Sequence, residues 1–356
     1  LISLIVFLRP GLRLNLPVNI IDKVRAYDKQ SDLARVTGID DGEEETVLDL
    51  SVKPGMNKGW FGNADVAAGT EDRYSGKVML NRFIGENQFT VIGSMNNVND
   101  NGYPGGGGGF RWGGQNGLTS IKMGGFNFST QSEKLETGGS VNYNYKDADI
   151  ISKQASETFV SSATSSFKNA QNANRNKTTS LTADFRIEWK PDTMTTFVFR
   201  PRFSYGKTDN TNGQNSYTFS QDPGYTTDEL FGTDDLTSLV SEEDIINTVL
   251  KNTLKKGDDL TVGGSVLVNR RLGKLGRNIT FRGKYNYTNS SSEQFSTSET
   301  EYFQKTPEER MEILNRYITT PTKSYDYSAR LTYSEPIFTG GFLQFSYNFQ
   351  YKHSTT

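Results

Sequence analysis

The stretch LTADFRIEW (181–189) sets Leu181, Ala183, Phe185, Ile187 and Trp189 against Thr182, Asp184, Arg186 and Glu188. Successive side chains of a strand point to opposite faces, so this segment has one oily face and one charged face. By composition alone, such a nine-residue pattern arises at roughly one start position in a thousand. One instance decides little, but the pattern recurs. TTFVFRPRFSYG (195–206), NITFRGKYNY (278–287), YDYSARLTY (325–333) and FLQFSYNFQY (342–351) repeat it, and VNYNYK (141–146) and LTVGGSVLVN (260–269) do so more weakly. About eleven strands are expected, near 60–68, 73–83, 88–98, 119–130, 135–146, 179–189, 194–206, 259–270, 277–288, 325–335 and 342–352. A strand of ~9–11 residues crosses a bilayer when tilted, whereas a sandwich strand averages ~5–6. Tyr and Phe on nearly every apolar face suit the aromatic girdles of a membrane barrel.

The connections alternate as well. Short turns fall at 85–87, 131–134, 190–193, 272–276 and 337–341, and long polar stretches at 97–119, 147–178, 207–258 and 289–323. That is the loop asymmetry of outer-membrane barrels, and loops so long weigh against a compact soluble domain. An odd count ending on a strand implies a chain that stops in mid-barrel, with both edge strands open. The expected fold is therefore all-β: a partial transmembrane antiparallel barrel over 59–356, preceded by a small α+β piece over 1–58.

Composition agrees. Of 356 residues, 34% are hydrophobic, too few for an ordinary globular core, yet 12% are aromatic, too many for disorder. No apolar run approaches the ~20 residues of a spanning helix. The absence of cysteine removes disulfides, thiolate metal sites and a cysteine nucleophile, and the single histidine, His353, leaves the usual catalytic constellations unsupported. The chain reads as a non-enzyme without cofactor or metal. A net charge of −2 implies no nucleic-acid partner. LISLIVFLRPG (1–11) lacks the basic and cleavage-site features of a signal peptide and reads as a cut start.

Residues 16–28 suggest a short helical step leading into alternation, and ETVLDLSVK (45–53) a strand. LPVNIIDKVRAYDKQSD (16–32), TGIDDGEEETVLDLSVKP (37–54), GWFGNADVAAGTEDRYSGKVMLNRF (59–83), NNVND (96–100) and YSEPIF (333–338) resemble the TonB-dependent receptor family of Bacteroidetes-type outer membranes. The resemblance covers the plug end and the first half of the barrel. It implies a 22-stranded barrel, of which about eleven strands are present here, filled by a plug and driven by TonB. Outer-membrane lipid, the TonB complex (through an N-terminal segment not present) and a surface lipoprotein are then the candidate partners. Two rivals remain: a secreted sugar-binding sandwich or solenoid, and a non-transporting surface barrel or adhesin. A sandwich would bury the apolar strand faces between two sheets.

Among the motifs, Gly105 to Gly109 lacks the Lys-Ser/Thr of a phosphate loop and reads as flexible. Tyr103, Phe110 and Trp112 beside it are either boundary aromatics or a platform for a flat ligand. The acids at 40–45 do not have calcium-loop spacing. Asp184 and Glu188 lie ~13 Å apart along a strand, too far for a glycosidase pair. With Arg186, and with Arg200 and Arg202 on the next strand, they form a charge ladder. It either neutralises itself or contacts a plug or polar substrate. TPEERMEILNRYI (306–318) and SEEDIINTVLKN (241–252) begin like capped helices.

Overall fold

The computed structural model describes residues 3–6, 21–37, 44–53, 58–100, 117–161, 164–273, 276–338 and 341–356. A three-stranded sheet comes first, with β1 (Ser3–Val6), β2 (Ile21–Gln30) and β3 (Glu44–Val52) in the order β1-β3-β2, all antiparallel. Between β2 and β3 lies the short helix α1 (Asp32–Thr37), whose Ser31 hydroxyl accepts the Ala34 N–H at 3.0 Å. The expected helical step before 28 is not seen over 21–28. Those residues are strand, and the helix follows them.

The rest is one sheet of eleven strands: β4 (Lys58–Ala68), β5 (Tyr74–Ile84), β6 (Asn87–Asn96), β7 (Leu118–Gln131), β8 (Leu135–Ser161), β9 (Thr164–Trp189), β10 (Thr195–Phe219), β11 (Ile245–Arg271), β12 (Asn278–Tyr302), β13 (Met311–Phe338) and β14 (Gly341–Thr355). Each strand pairs antiparallel with its neighbours in sequence, and β4 and β14 are the two ends, not joined to each other. The eleven strands anticipated from alternation are all present, and the short turns read at 85–87, 131–134 and 190–193 fall between them; residues 274–275 and 339–340 of the other two lie outside the described residues, and Ile337 and Phe338 belong to β13.

The long loops are corrected. Stretches 147–178, 207–258 and 289–323 are mostly strand: β8 to β13 run 25 to 28 residues rather than 9–11. The far halves of β9, β10 and β12 are rich in Ser, Thr, Asn and Lys, so both faces are polar; those of β8, β11 and β13 keep apolar residues such as Ile150, Ile151, Val249, Leu250, Ile313 and Leu314, but without clean alternation, while the backbone ladder continues. The two expected helices are also overturned. Thr306 to Glu309 forms only a turn, with Glu309 N–H donating to the Thr306 carbonyl at 3.0 Å, and Met311 onward is strand. At 241 there is one 3-10 turn, Glu242–Asp244, without a side-chain cap bond from Ser241, and strand follows. A full capping box occurs elsewhere, at Thr226 and Glu229 before α2 (Thr227–Gly232). There the Thr226 N–H and hydroxyl hold the Glu229 carboxyl below its ordinary value.

Turn chemistry is local and specific. Glu71 and Asp72 both adopt φ 56°, a left-handed pair between β4 and β5. Asn97 secures it: its Oδ1 accepts the Tyr74 N–H at 2.8 Å and its Nδ2 donates to the Asp72 carbonyl at 2.9 Å. Buried Asn96 donates to the Asp100 carbonyl at 2.8 Å, and Asn99 Oδ1 accepts the Thr119 N–H at 2.7 Å. The NNVND segment is thus a set of side-chain clamps on backbone groups that have no ladder partner. Asp192 similarly accepts the Met194 and Thr195 N–H groups at 2.7 Å, which lowers its carboxyl pKa.

Because the register of β8 to β12 is continuous up to the far ends, side-chain parity defines two faces. One face carries α1. The opposite, bare face carries Ile187, Trp189, Phe199, Phe281, Tyr327, Leu331, Phe345 and Tyr347, each more than a third exposed. Phe185 and Phe197 share that parity. Among the described residues no second sheet covers these side chains, unlike a sandwich. At the far ends, on the bare face, residues 220–244 fold back over Phe167, Tyr217 and Phe219. Leu230, Val240 and Ile245 complete this small core, and Tyr217 stacks on Phe231 at 4.5 Å.

Candidate functional site

The place where α1 meets the sheet gathers more charge than any other described group of side chains. A six-residue helix is too short to persist alone, so packing and ion pairs must hold it. Leu33 packs on buried Val198 and Leu267, which sit on β10 and β11 in register with each other. Around this apolar contact, the Arg35 guanidinium donates to both Glu188 oxygens, at 2.8 and 2.6 Å. Glu188 is 1% exposed and also receives Arg186 and, at 3.0 Å, Lys190. Asp32 pairs with Arg200 and lies 3.4 Å from both Arg186 and Arg35. Arg186 reaches Glu136 on β8 at 2.7 Å.

The node therefore holds three carboxylates (Asp32, Glu136, Glu188) and four cations (Arg35, Arg186, Lys190, Arg200), one positive charge in excess. Burial pushes the Asp32 carboxyl up, but the Arg186, Arg200 and Arg35 guanidiniums outweigh it and hold the group below its ordinary value. Bidentate Arg–carboxylate geometry gives direction as well as strength.

Of the residues singled out from sequence, Arg186, Glu188 and Arg200 are brought together at this node. Asp184 and Arg202 stand apart, paired with each other at 2.8 Å further along the strands. Tyr103 and Trp112 lie outside the described residues. Sequence reasoning missed Asp32, Leu33, Arg35, Glu136 and Lys190. One signal was available: the unbroken apolar triplets Phe197-Val198-Phe199 and Val266-Leu267-Val268 each place an apolar residue on the otherwise polar face.

The arrangement has no nucleophile beside a base. Among the described residues no cluster of His, Asp and Glu could hold a metal ion. What it can do is fasten a small helix to the sheet through a shared set of charges. In comparisons with protein-family models, curated proteins and solved structures, nothing matches this chain.

Proposed function

We propose that the chain is part of an outer-membrane β-barrel receptor of the TonB-dependent kind, with α1 and its three-stranded sheet belonging to a plug held against the inner wall. The observation that carries this reading is the level apolar belt on the bare face. On β9 it runs from Trp189 to Leu181 and on β10 from Phe197 to Tyr205, eight steps each, about 26 Å along the strand. At a 40° tilt that is ~20 Å along the normal, close to the ~25 Å apolar band of such barrels. Tyrosines close the belt: Tyr205, and Tyr287 in contact with Tyr325 at 5.0 Å. Just beyond them one cross-strand row reads Asp147, Lys177, Asp209, Lys256, Glu293, all on the same face. An apolar stripe with a charged row above it on five consecutive strands supports a lipid boundary; beyond that row the bare face still carries separate exposed apolar residues, Leu254, Phe295 and Tyr317 among them.

Two open edges, β4 and β14, leave backbone groups unpaired, which hydrocarbon does not tolerate. The working barrel therefore needs further strands. In this reading the α1 node is the latch between plug and wall. Force on the plug loads Arg35–Glu188 and Asp32–Arg200, and their rupture opens the passage beside β9 to β11. The test is vesicle flotation with single-cysteine variants at Phe199, Phe281 and Tyr347. Labels there should report a lipid environment, and labels at Lys177 and Lys256 an aqueous one; uniform exposure to water would overturn the receptor reading.

A further inference from the structure

Above the latch, the α1-bearing face of β9 and β10 carries a grid of amides. Asn176 is opposite Asn210, Asn174 opposite Asn212, and Asn172 opposite Gln214. The three rungs are two residues, ~7 Å, apart, and the columns ~5 Å apart. Asn174 and Asn212 bond to each other through their side chains, while the Asn210 carbonyl oxygen is buried without a hydrogen-bond partner. On β11, Lys251 is in register with Gln214 and Lys255 with Asn210, so a cation flanks each end of the grid, ~13 Å apart. Arg316 follows in register beyond Thr253 and Ser296. Lys251, Lys255 and Arg316 are exposed and make no ion pair among the described residues, whereas on the bare face beside Lys255 the row from Asp147 to Glu293 alternates charge.

We infer that this wall is a binding surface for an extended, polyhydroxylated polyanion, an acidic oligosaccharide. An amide both donates and accepts, as a hydroxyl does, so a grid of amides matches a chain of hydroxyls in either orientation. Three separated cations suit carboxylates spread along a chain; a single compact anion could meet only one of them. The grid itself carries no aromatic side chain, so hydrogen bonds rather than ring stacking provide the recognition. The inference rests on the barrel reading for one point only: that this face lines the passage from outside.

The test uses the whole chain in mild detergent, with hexagalacturonate, hexaglutamate and maltohexaose as probes in equilibrium binding. Hexagalacturonate should bind tightest. The triple variant K251Q/K255Q/R316Q should weaken it by ~10-fold or more and leave maltohexaose unchanged. The pair N174A/N212A should weaken both sugars and spare hexaglutamate. These side chains lie on a solvated wall, and unchanged circular dichroism verifies folding of each variant. Equal binding of hexaglutamate and hexagalacturonate, or indifference to the triple variant, would overturn the assignment. Vesicle flotation is scored separately. Flotation without sugar binding removes this site and leaves the receptor; sugar binding by a chain that does not float removes the receptor and leaves the site.

Discussion

Replacing Glu188 by Gln should loosen α1 from the wall by about 2 kcal/mol. The carboxylate is 1% exposed and takes two charged hydrogen bonds from Arg35, at 2.8 and 2.6 Å. A bond to a charged group contributes ~1.5–3 kcal/mol and a neutral one ~0.5–1.5 kcal/mol. An amide keeps one acceptor, turns an N–H toward the guanidinium in place of the other, and removes the charge facing Lys190, while Arg186 keeps Glu136 and Asp32. The Arg35 side chain is 31% exposed, so water restores part of the loss and the lower end of the range applies. A 2 kcal/mol change in the docking equilibrium is ~30-fold. The chain has no cysteine, so Ala34→Cys gives a single thiol at a position 2% exposed. Its maleimide labelling rate, measured where reclosing outpaces labelling, should rise ~30-fold when Glu188→Gln is added. Arg202→Gln, which disturbs only the Asp184 pair, should leave it unchanged. A rise of under ~3-fold on loss of the Glu188 charge would refute the latch.

Asp32 adds a pH dependence of known sign. Its folded pKa lies below the ordinary 3.8, so its contribution to docking is full above that value and fades as pH falls through the lowered one. Hydrogen exchange over 32–37, corrected for intrinsic rate, should therefore be flat from pH 8 to pH 5 and accelerate below pH 3.8; acceleration near neutrality would contradict it. Phe199→Arg should destabilise the lipid-inserted sheet by ~2–4 kcal/mol, measured by urea titration in vesicles, and a neutral result would place Phe199 outside the hydrocarbon. Phe219→Ala should cost ~3–5 kcal/mol locally and free residues 220–244 to protease while the belt stays inserted. Trypsin on intact cells should cut after Lys305 and spare Lys134, which lies in a turn at the opposite end of the sheet. The reverse pattern would invert the orientation.

The near halves of the strands were legible because apolar residues of the bare face alternate with polar residues of the α1-bearing face at period two. The far halves were not. Along Lys168 to Ser180 both faces are polar, so no hydrophobic period marks the strand; its hydrogen bonds to β8 and β10 do. Met311, Leu314, Tyr317 and Ile318 also fit a helical stripe, and only pairing with β12 settles them as strand. At the site, the alternation of Arg186 with Glu188 was visible, but their partners Asp32 and Arg35 lie about 150 residues away. A cross-chain ion pair has no local pattern.

The order of the large sheet, each strand beside its sequence neighbour from β4 to β14, bears on assembly. Every pairing is with a sequence neighbour, so most ends are brought together across short spans and the loop-closure cost stays small; the links from β6 to β7 and from β10 to β11 are longer, yet closure cost grows only slowly with length. Growth can proceed one hairpin at a time, each new strand using the last as its template, without waiting for a distant partner. Local pairing of this kind favours rapid formation. The exception is α1, whose partners on β9, β10 and β11 are synthesised about 150 or more residues later. Its docking reports that the wall behind it is already built.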